Sequence, residues 1–382
     1  MTSNTTGTSG DRGNTSDAPT LSDTRLIFVS PAPGRSGVGD YAQDFVDEVR
    51  PHFAEVIEYW IASDGDETLA GVIRDVRRIR KLAKEKAAEG PTVVHFEQSA
   101  GSLAPFWGSI LPRSIPVTAT VHDAPQPVWW PFKTRLLTRH RLLHHGAHYP
   151  LRPVVNALQR RVSDGRIVFT LTSIGARNYQ SRQPGSDARA SRIFVPPRPP
   201  MRPLTERPMA VGMFGHVYKG KGFDLVGRLR ELLDDDIEIV LAGRGTAALP
   251  PVPGVRVLGE VNGPDEDAFF ESIRFLIVPY SKDNRYGKAY AASSAVTRSF
   301  AYGTPIICIL DGSLTETAAE GGALSVDGGI DAIAHKANLA VRDEETLRKL
   351  AEEVAHLQRE RTLAHCVAPF LEAWGDITRC RT

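Results

Sequence analysis

Cysteine is scarce in this chain: Cys308, Cys366 and Cys380 are the three in 382 residues, and no CxxC pair is among them. An odd, scattered set excludes a disulfide framework and a thiolate zinc site, and it fits a reducing compartment. Long apolar runs are lacking too. Nothing approaches the roughly eighteen consecutive apolar residues of a spanning helix, so none is expected. Neither sign of charge dominates, because 46 Lys and Arg nearly cancel 45 Asp and Glu. Only the distribution of charge can therefore point to a partner. Residues 1–22 have no apolar segment of the kind a secretory signal needs, and they are small, polar and glycine-rich. They are expected to form a disordered tail on a cytoplasmic protein.

What is present is the composition of a packed globular protein, 41% hydrophobic and 24% charged. The length exceeds one ordinary core, so two domains are expected. Residues 25–30 (RLIFVS) are a short apolar run stopped by Pro31 and Gly34, the pattern of a buried parallel strand ending in a loop. Helical periodicity follows over 40–49, with Tyr41, Phe45, Val46 and Val49 on one face. Further strands are expected at 56–61, 92–96, 117–122 and 168–172, and a charged helix over 72–89. Strand and helix in alternation imply an α/β fold with a doubly wound parallel sheet.

Residues 194–208 (FVPPRPPMRPLTERP) are dense in proline and arginine. Proline at that density stops helices and is excluded from central strands, which places an interdomain linker over 199–208. The pattern then restarts, with strands at 210–214, 237–242, 255–258, 275–279 and 305–309. Helices are expected at 224–233, 269–273, 294–302, 344–360 and 363–377. The expected organisation is a first domain over 23–198, a second over 209–362, and a terminal helix over 363–382 packing back toward the first.

Four loops carry residues with chemical capability. The first, 33–41 (PGRSGVGDY), follows the first strand, and Gly37, Val38 and Gly39 let backbone amides approach a ligand at the start of a helix. An ordinary tight turn would use the same glycines, and the dinucleotide fingerprint is incomplete. The second is His122 and Asp123 at the carboxyl end of a strand, the edge where open α/β sheets bind ligands. The third, 214–224 (FGHVYKGKGFD), brings Gly215, His216, Lys219 and Lys221 between a strand and a helix. Amides, lysine charge and the positive helix end together suit a diphosphate; a Walker loop is absent. The fourth, 286–305, holds Tyr290, Ser293, Ser294 and Arg298, with small and hydroxyl residues before a helix whose first amides are open to phosphate or ribose.

Taken in order, these loops resemble the large retaining glycosyltransferase superfamily called group 1 or family 4. The pieces are Gly37-Val38-Gly39-Asp40-Tyr41, the His122 strand end, Gly215 to Asp224, Leu241-Ala242-Gly243 with Gly245, Val257-Leu258-Gly259, Val278-Pro279-Tyr280-Ser281, and Ala301-Tyr302-Gly303-Thr304-Pro305. The resemblance spans about residues 25 to 375. It implies a GT-B fold, two Rossmann-like domains facing a cleft, with the nucleotide held by the second. In that family a basic pair grips the donor diphosphate. Lys221 matches its lysine, and His216 stands where arginine is usual. An acidic Glu-x7-Glu pair frames donor sugar and ribose, but Tyr290 and Arg298 occupy those positions here. Arg298 departs from the family and is expected to meet the diphosphate in place of the charge lost at His216; the resemblance implies that Glu316 serves ribose or sugar, and His122, Asp123 and the Gly37 loop are expected to line the reacting end. It further implies transfer with retention to a hydroxyl acceptor in polysaccharide or glycolipid synthesis, without metal or other cofactor. A fold-sharing binding subunit is the alternative, because the acidic pair is missing.

Between 124 and 163 there is no Asp or Glu, while Lys133, Arg135, Arg139, Arg141, Arg152, Arg160, Arg161 and four histidines occur. Trp129, Trp130 and Phe132 lead into this run. Aromatics beside a cationic stretch fit peripheral contact with an anionic membrane, where a lipid-linked acceptor would lie. A solvated basic face packed by Leu136, Leu137, Leu142 and Leu143 would read the same way. No motif supports nucleic acid.

Overall fold

The computed structural model describes residues 21–379 apart from 35, 63–66, 136–140, 219, 281–282 and 285–286; for 141–145, 147–149, 283–284 and 287 it describes the backbone alone. Residues 1–20 of the expected tail thus lie outside the described residues, and Leu21 is buried in the core. In the first half, strands β1 (Arg25–Pro31), β2 (Glu55–Ile61), β3 (Thr92–Gln98), β4 (Val117–Val121), β5 (Ile167–Thr170) and β6 (Asp187–Ala190) form one parallel sheet in the order β2-β1-β3-β4-β5-β6. Helices α1 (Gly37–Val49), α2 (Leu69–Glu89), α3 (Leu103–Gly108), α4 (Arg141–Ser163) and α5 (Ser173–Arg182) connect them. Every residue of β3 is buried, as a parallel strand covered on both faces requires.

The second half repeats the plan. Strands β7 (Ala210–Phe214), β8 (Glu238–Ala242), β9 (Val255–Gly259) and β10 (Phe275–Val278) precede a short hairpin, β11 (Asp283–Asn284) and β12 (Gly287–Lys288), and then β13 (Ile306–Ile309) and β14 (Ala323–Val326). The parallel sheet runs β14-β13-β10-β7-β8-β9. Its helices are α6 (Val226–Leu232), α7 (Pro264–Glu271), α8 (Ser294–Ala301), α9 (Ser313–Glu320), α10 (Ile330–Ala340), α11 (Glu344–Glu360) and α12 (Leu363–Arg379). Two core clusters flank this sheet, one built on Leu229, Ile239 and Leu347, the other on Phe269, Phe270 and Phe300.

Differences from the sequence reading have local causes. Strands β6 and β14 escape it because each is the outermost of its sheet, paired on one side, and carries no continuous apolar run. The helix expected at 269–273 begins earlier, with Pro264 in its first turn and Asp265, Glu266 and Asp267 complementing the helix dipole. The strand expected through 172 ends at Thr170, and Thr172 instead caps α5 by accepting from Gly175 N at 3.0 Å.

The linker runs without regular structure from 191 to 203 and is pinned at its far end by Arg207. That buried guanidinium donates to the carbonyls of Phe270 and Tyr302 and to Thr304 Oγ1. Helix α12 then returns to the first half, where Phe370 and Trp374 are fully buried against Phe45, His95 and Phe169. The first core is therefore completed by the last helix of the chain.

Candidate functional site

Two helix starts face each other across the cleft, one from each half. Helix α1 begins where Ser36 accepts from Gly39 N at 3.2 Å, while Asp40 folds back to accept from Gly34 N at 2.7 Å. Gly39 is obligatory here, because a Cβ would lie 2.2 Å from the carbonyl oxygen of Ala32. Opposite, α8 begins after Ser293, whose side chain makes no capping bond of its own. A Cβ on Gly37 would stand 3.6 Å from Ser294 Oγ, so the two starts are in near contact. Each presents unsatisfied amides and the positive end of a helix dipole, which suits an anion.

Lysine charge arrives from the β7 loop. Lys221 is 8% exposed, donates to the Tyr280 hydroxyl at 2.8 Å and lies 3.9 Å from the centroid of the same ring. The Tyr280 hydroxyl in turn bonds Ser293 Oγ. Lys221, Tyr280 and the start of α8 are thus one connected unit. The glycine loops beneath it interlock: Gly215 N donates to Ala242 O at 3.0 Å and Val217 N to Arg244 O at 2.9 Å. His216 is exposed in that loop. Lys219 lies outside the described residues.

From the first half, β4 stops at Val121 and leaves His122 just beyond the sheet edge. Its Nε2 is 2.6 Å from Glu97 Oε2, and Tyr41 packs edge-on against the ring at 5.2 Å. Glu97 is fully buried. Burial opposes its ionisation, but the hydrogen bonds from His122 and His95, joined by their charge when the rings are protonated, outweigh that and hold the carboxyl at about 2. Asp123 accepts from Ala100 N at 3.0 Å and raises the pKa of Tyr218 across the cleft, where burial is the larger cause.

The cleft widens into a cavity of about 800 Å³ between α1, the linker and α8. Tyr41, Asp44, Phe194, Arg198, Phe214 and Arg298 are among its lining residues. Arg298 reaches Glu266 Oε1 at 3.1 Å, on the wall of this cavity one helical turn past Ser294. Burial raises the Asp44 carboxyl, and the Arg298 charge opposes that rise. Glu97 and Glu266 are not marked in the sequence, and Tyr280 enters there only within the Val278–Ser281 piece of the resemblance. The available signal was a glutamate inside the apolar strand TVVHFEQ, since a buried polar residue is more informative than an exposed one.

Two expected ligand residues are engaged elsewhere. Tyr290 joins the halves by its backbone: its N–H donates to Ala124 O at 2.7 Å, and Thr172 Oγ1 donates to its carbonyl at 2.8 Å. Glu316 lies on α9 and accepts from Ser173 N and Ile174 N, each at 2.8 Å. Its carboxylate therefore caps α5 of the opposite half, because a helix start offers amides and positive potential to any acid within reach. Glu316→Ala is expected to cost about 1 kcal/mol of stability and to widen the cleft, read by denaturant unfolding and X-ray scattering. A tenfold loss of nucleotide affinity with unchanged scattering would return Glu316 to the ligand.

The basic run of the first half is described in part. Trp130 is buried, edge-on to Phe132, and the neighbouring Trp107 Nε1 donates to Pro131 O. That tryptophan belongs to the core and is not a surface anchor. Arg139, His140, Leu136 and Leu137, and the side chains of Arg141, Leu142, Leu143, His144, His145 and His148, lie outside the described residues. Farther along α4, Leu151 and Val154 are 41% and 58% exposed, beside the exposed Arg152, Arg160 and Arg161. No helix among the described residues is long and apolar enough to cross a membrane.

Two six-stranded parallel sheets, each wrapped in helices and facing a common cleft, define the GT-B fold. Among solved structures, the chain resembles HepE of Anabaena in complex with UDP and glucose, with a TM-score of 0.63 and 12% identity over 91% of this chain and 99% of that one. It also resembles the UDP-forming α,α-trehalose-phosphate synthase of Burkholderia xenovorans, with a TM-score of 0.58 and 10% identity over 92% and 99% of the two chains. A third is an O-GlcNAc transferase mutant of Thermobaculum terrenum, with a TM-score of 0.57 and 12% identity over 96% of this chain and 70% of that one. No protein-family model matches the chain, and no curated protein matches it in sequence. At these identities the likeness is one of fold.

Proposed function

We propose that this protein transfers a sugar from a nucleotide-diphosphate sugar to a hydroxyl acceptor. The observation that carries the proposal is the union of Lys221 with the start of α8 through Tyr280 and Ser293, opposite the start of α1. Departure of a nucleoside diphosphate builds negative charge on phosphate oxygens. Preorganised amides and a desolvated ammonium stabilise that charge without a metal. HepE, of the same fold, has been solved with UDP and with UDP-glucose, which supports a nucleotide sugar as the ligand class. Retention is the stereochemical course the sequence resemblance implies, and proton NMR of the fresh product anomer tests it.

UDP, GDP, ADP and their sugars, screened by thermal shift, should include at least one stabilising ligand. A ligand at 100 times its Kd adds about 2.7 kcal/mol. No stabilisation by any of them would sink the proposal. A second reading, a subunit that binds the donor without turning it over, is favoured by the commitment of Arg298 to Glu266 at a position where the resembling family is acidic. Binding without hydrolysis or transfer of the donor would select it.

The exposed Leu151 and Val154, set among Arg152, Arg160 and Arg161, fit α4 to an anionic lipid surface from which the acceptor hydroxyl would be presented. Flotation with phosphatidylglycerol vesicles should recover the protein, and Leu151→Ser with Val154→Ser should reduce recovery severalfold. Equal recovery with neutral phosphatidylcholine vesicles would argue against this contact.

A further inference from the structure

A file of buried polar groups runs from the last helix of the chain to His122, and nothing in the donor site itself requires it. Its arrangement follows from strand geometry. Side chains alternate along a strand, so His95 and Glu97 share one face of β3, and Thr118, Thr120 and His122 continue one face from β4. The parallel register pairs His95 with Thr118 and Glu97 with Thr120. Trp374 Nε1 donates to Thr118 Oγ1 at 2.9 Å, and Thr118 Oγ1 lies 2.8 Å from His95 Nδ1. His95 Nε2 lies 3.1 Å from Glu97 Oε1 and 3.0 Å from Thr120 Oγ1. Glu97 Oε2 meets His122 Nε2 at 2.6 Å. Trp374, Thr118, His95, Thr120 and Glu97 are fully buried, and His122 is 10% exposed.

Proton counting orients the whole file. An indole N–H only donates, so Thr118 Oγ1 accepts it; the Glu97 carboxylate only accepts, so the one proton of a neutral His95 sits on Nε2 and Nδ1 is left to accept from the Thr118 hydroxyl. His95 then carries its proton on Nε2 and gives it to Glu97. A second proton on His95 would place a cation inside a box of Phe28, Phe45, Phe370 and Trp374. An ionised carboxylate only accepts, so His122 must present Nε2–H to it.

We infer that Glu97 and His95, anchored by Trp374, are positioning residues that lock neutral His122 as the Nε2–H tautomer, so that its Nδ1 lone pair accepts a hydrogen bond from a substrate hydroxyl in the cleft. The part played by the hydroxyl rests on the proposed sugar transfer; the tautomer does not. The third member of a nucleophile–base–orienter arrangement works in the same manner, holding an imidazole in one tautomer without touching the substrate. It also gives α12 a role at the cleft, because the donor that starts the file belongs to that helix.

The test is long-range proton–nitrogen NMR on the full chain labelled with ¹⁵N-histidine, at a pH where the ring is neutral. The wild-type spectrum should show His122 with a protonated Nε2 and an unprotonated Nδ1. The opposite tautomer, or a fast mixture of both, overturns the inference without any variant having to fold. Glu97→Gln, which keeps the shape and removes the charge, should release His122 into mixed tautomers. In a transfer or donor-hydrolysis assay it should lower kcat at least tenfold, with KM for the donor changed less than threefold, because the donor is held by the other half. Unchanged tautomers in Glu97→Gln also overturn the inference. Trp374→Phe keeps the packing and should loosen His95 first; His95 remaining fully Nε2–H would remove Trp374 from the file. A locked His122 in a protein that binds no nucleotide would refute the transfer proposal and leave the tautomer assignment standing.

Discussion

Lys221→Ala is expected to lower kcat/KM for the nucleotide-sugar donor by about 10²–10³, the loss that follows removal of one preorganised donor to a developing anion. Lys221 is 8% exposed, and its hydrogen bond to the Tyr280 hydroxyl ties it to Ser293 at the start of α8. An ammonium sheltered from water acts on phosphate charge more strongly than a solvated one. The variant should keep its fold, because the Tyr280–Ser293 bond and the glycine loops below do not depend on the amine. Lys221→Arg should fail to rescue. The ammonium stands 3.9 Å from the Tyr280 ring centroid in a site only 8% exposed, and a wider planar guanidinium does not reproduce a compact point charge there. Initial rates of donor hydrolysis against donor concentration provide the measurement. An effect below fivefold would remove Lys221 from the diphosphate site.

Gly243→Ala is expected to have the largest effect on stability, a loss of about 2–4 kcal/mol from strain and overpacking together. Gly243 sits at φ +125°, in the region that favours glycine, and an added Cβ would lie 2.2 Å from the carbonyl oxygen of Gly215. The clashing atom is backbone, so no side-chain rotation relieves it. The β7 and β8 loops would have to part, and the β7 loop is the one that carries Lys221. Nucleotide affinity should therefore fall together with stability. Gly227, in α6 with nothing within 4 Å of an added Cβ, supplies the contrast. Gly227→Ala should stabilise by about 0.5–1 kcal/mol through helix propensity. Urea unfolding of both variants tests the pair, and equal shifts in one direction would refute the steric reading of Gly243.

Much of the architecture was legible along the chain. Apolar runs such as RLIFVS and TVVHF marked buried parallel strands, because strands covered on both faces must be apolar nearly throughout. The glycines before α1 and around Gly215 and Gly243 marked loops in which backbone approaches backbone. Strands β6 and β14 were not legible, since DARA and ALSV carry no continuous apolar run. Trp130 was misjudged as a surface aromatic, because local sequence does not say which side of a loop faces the core.

The sequence by itself determined the two-halved parallel α/β organisation, the glycine loops at strand ends, and the parity that puts His95 and Glu97 on one face of β3 and His122 at the end of β4. These are properties of neighbours along the chain, set by residue type and period. Only the tertiary structure decided that Lys221 joins α8 through Tyr280, that Glu316 caps α5 of the other half, and that Trp374 meets Thr118. Those partners stand 59, 142 and 256 residues apart. Each pair meets because strand register, the linker and the return of α12 bring its two elements together, and no local pattern encodes such a meeting.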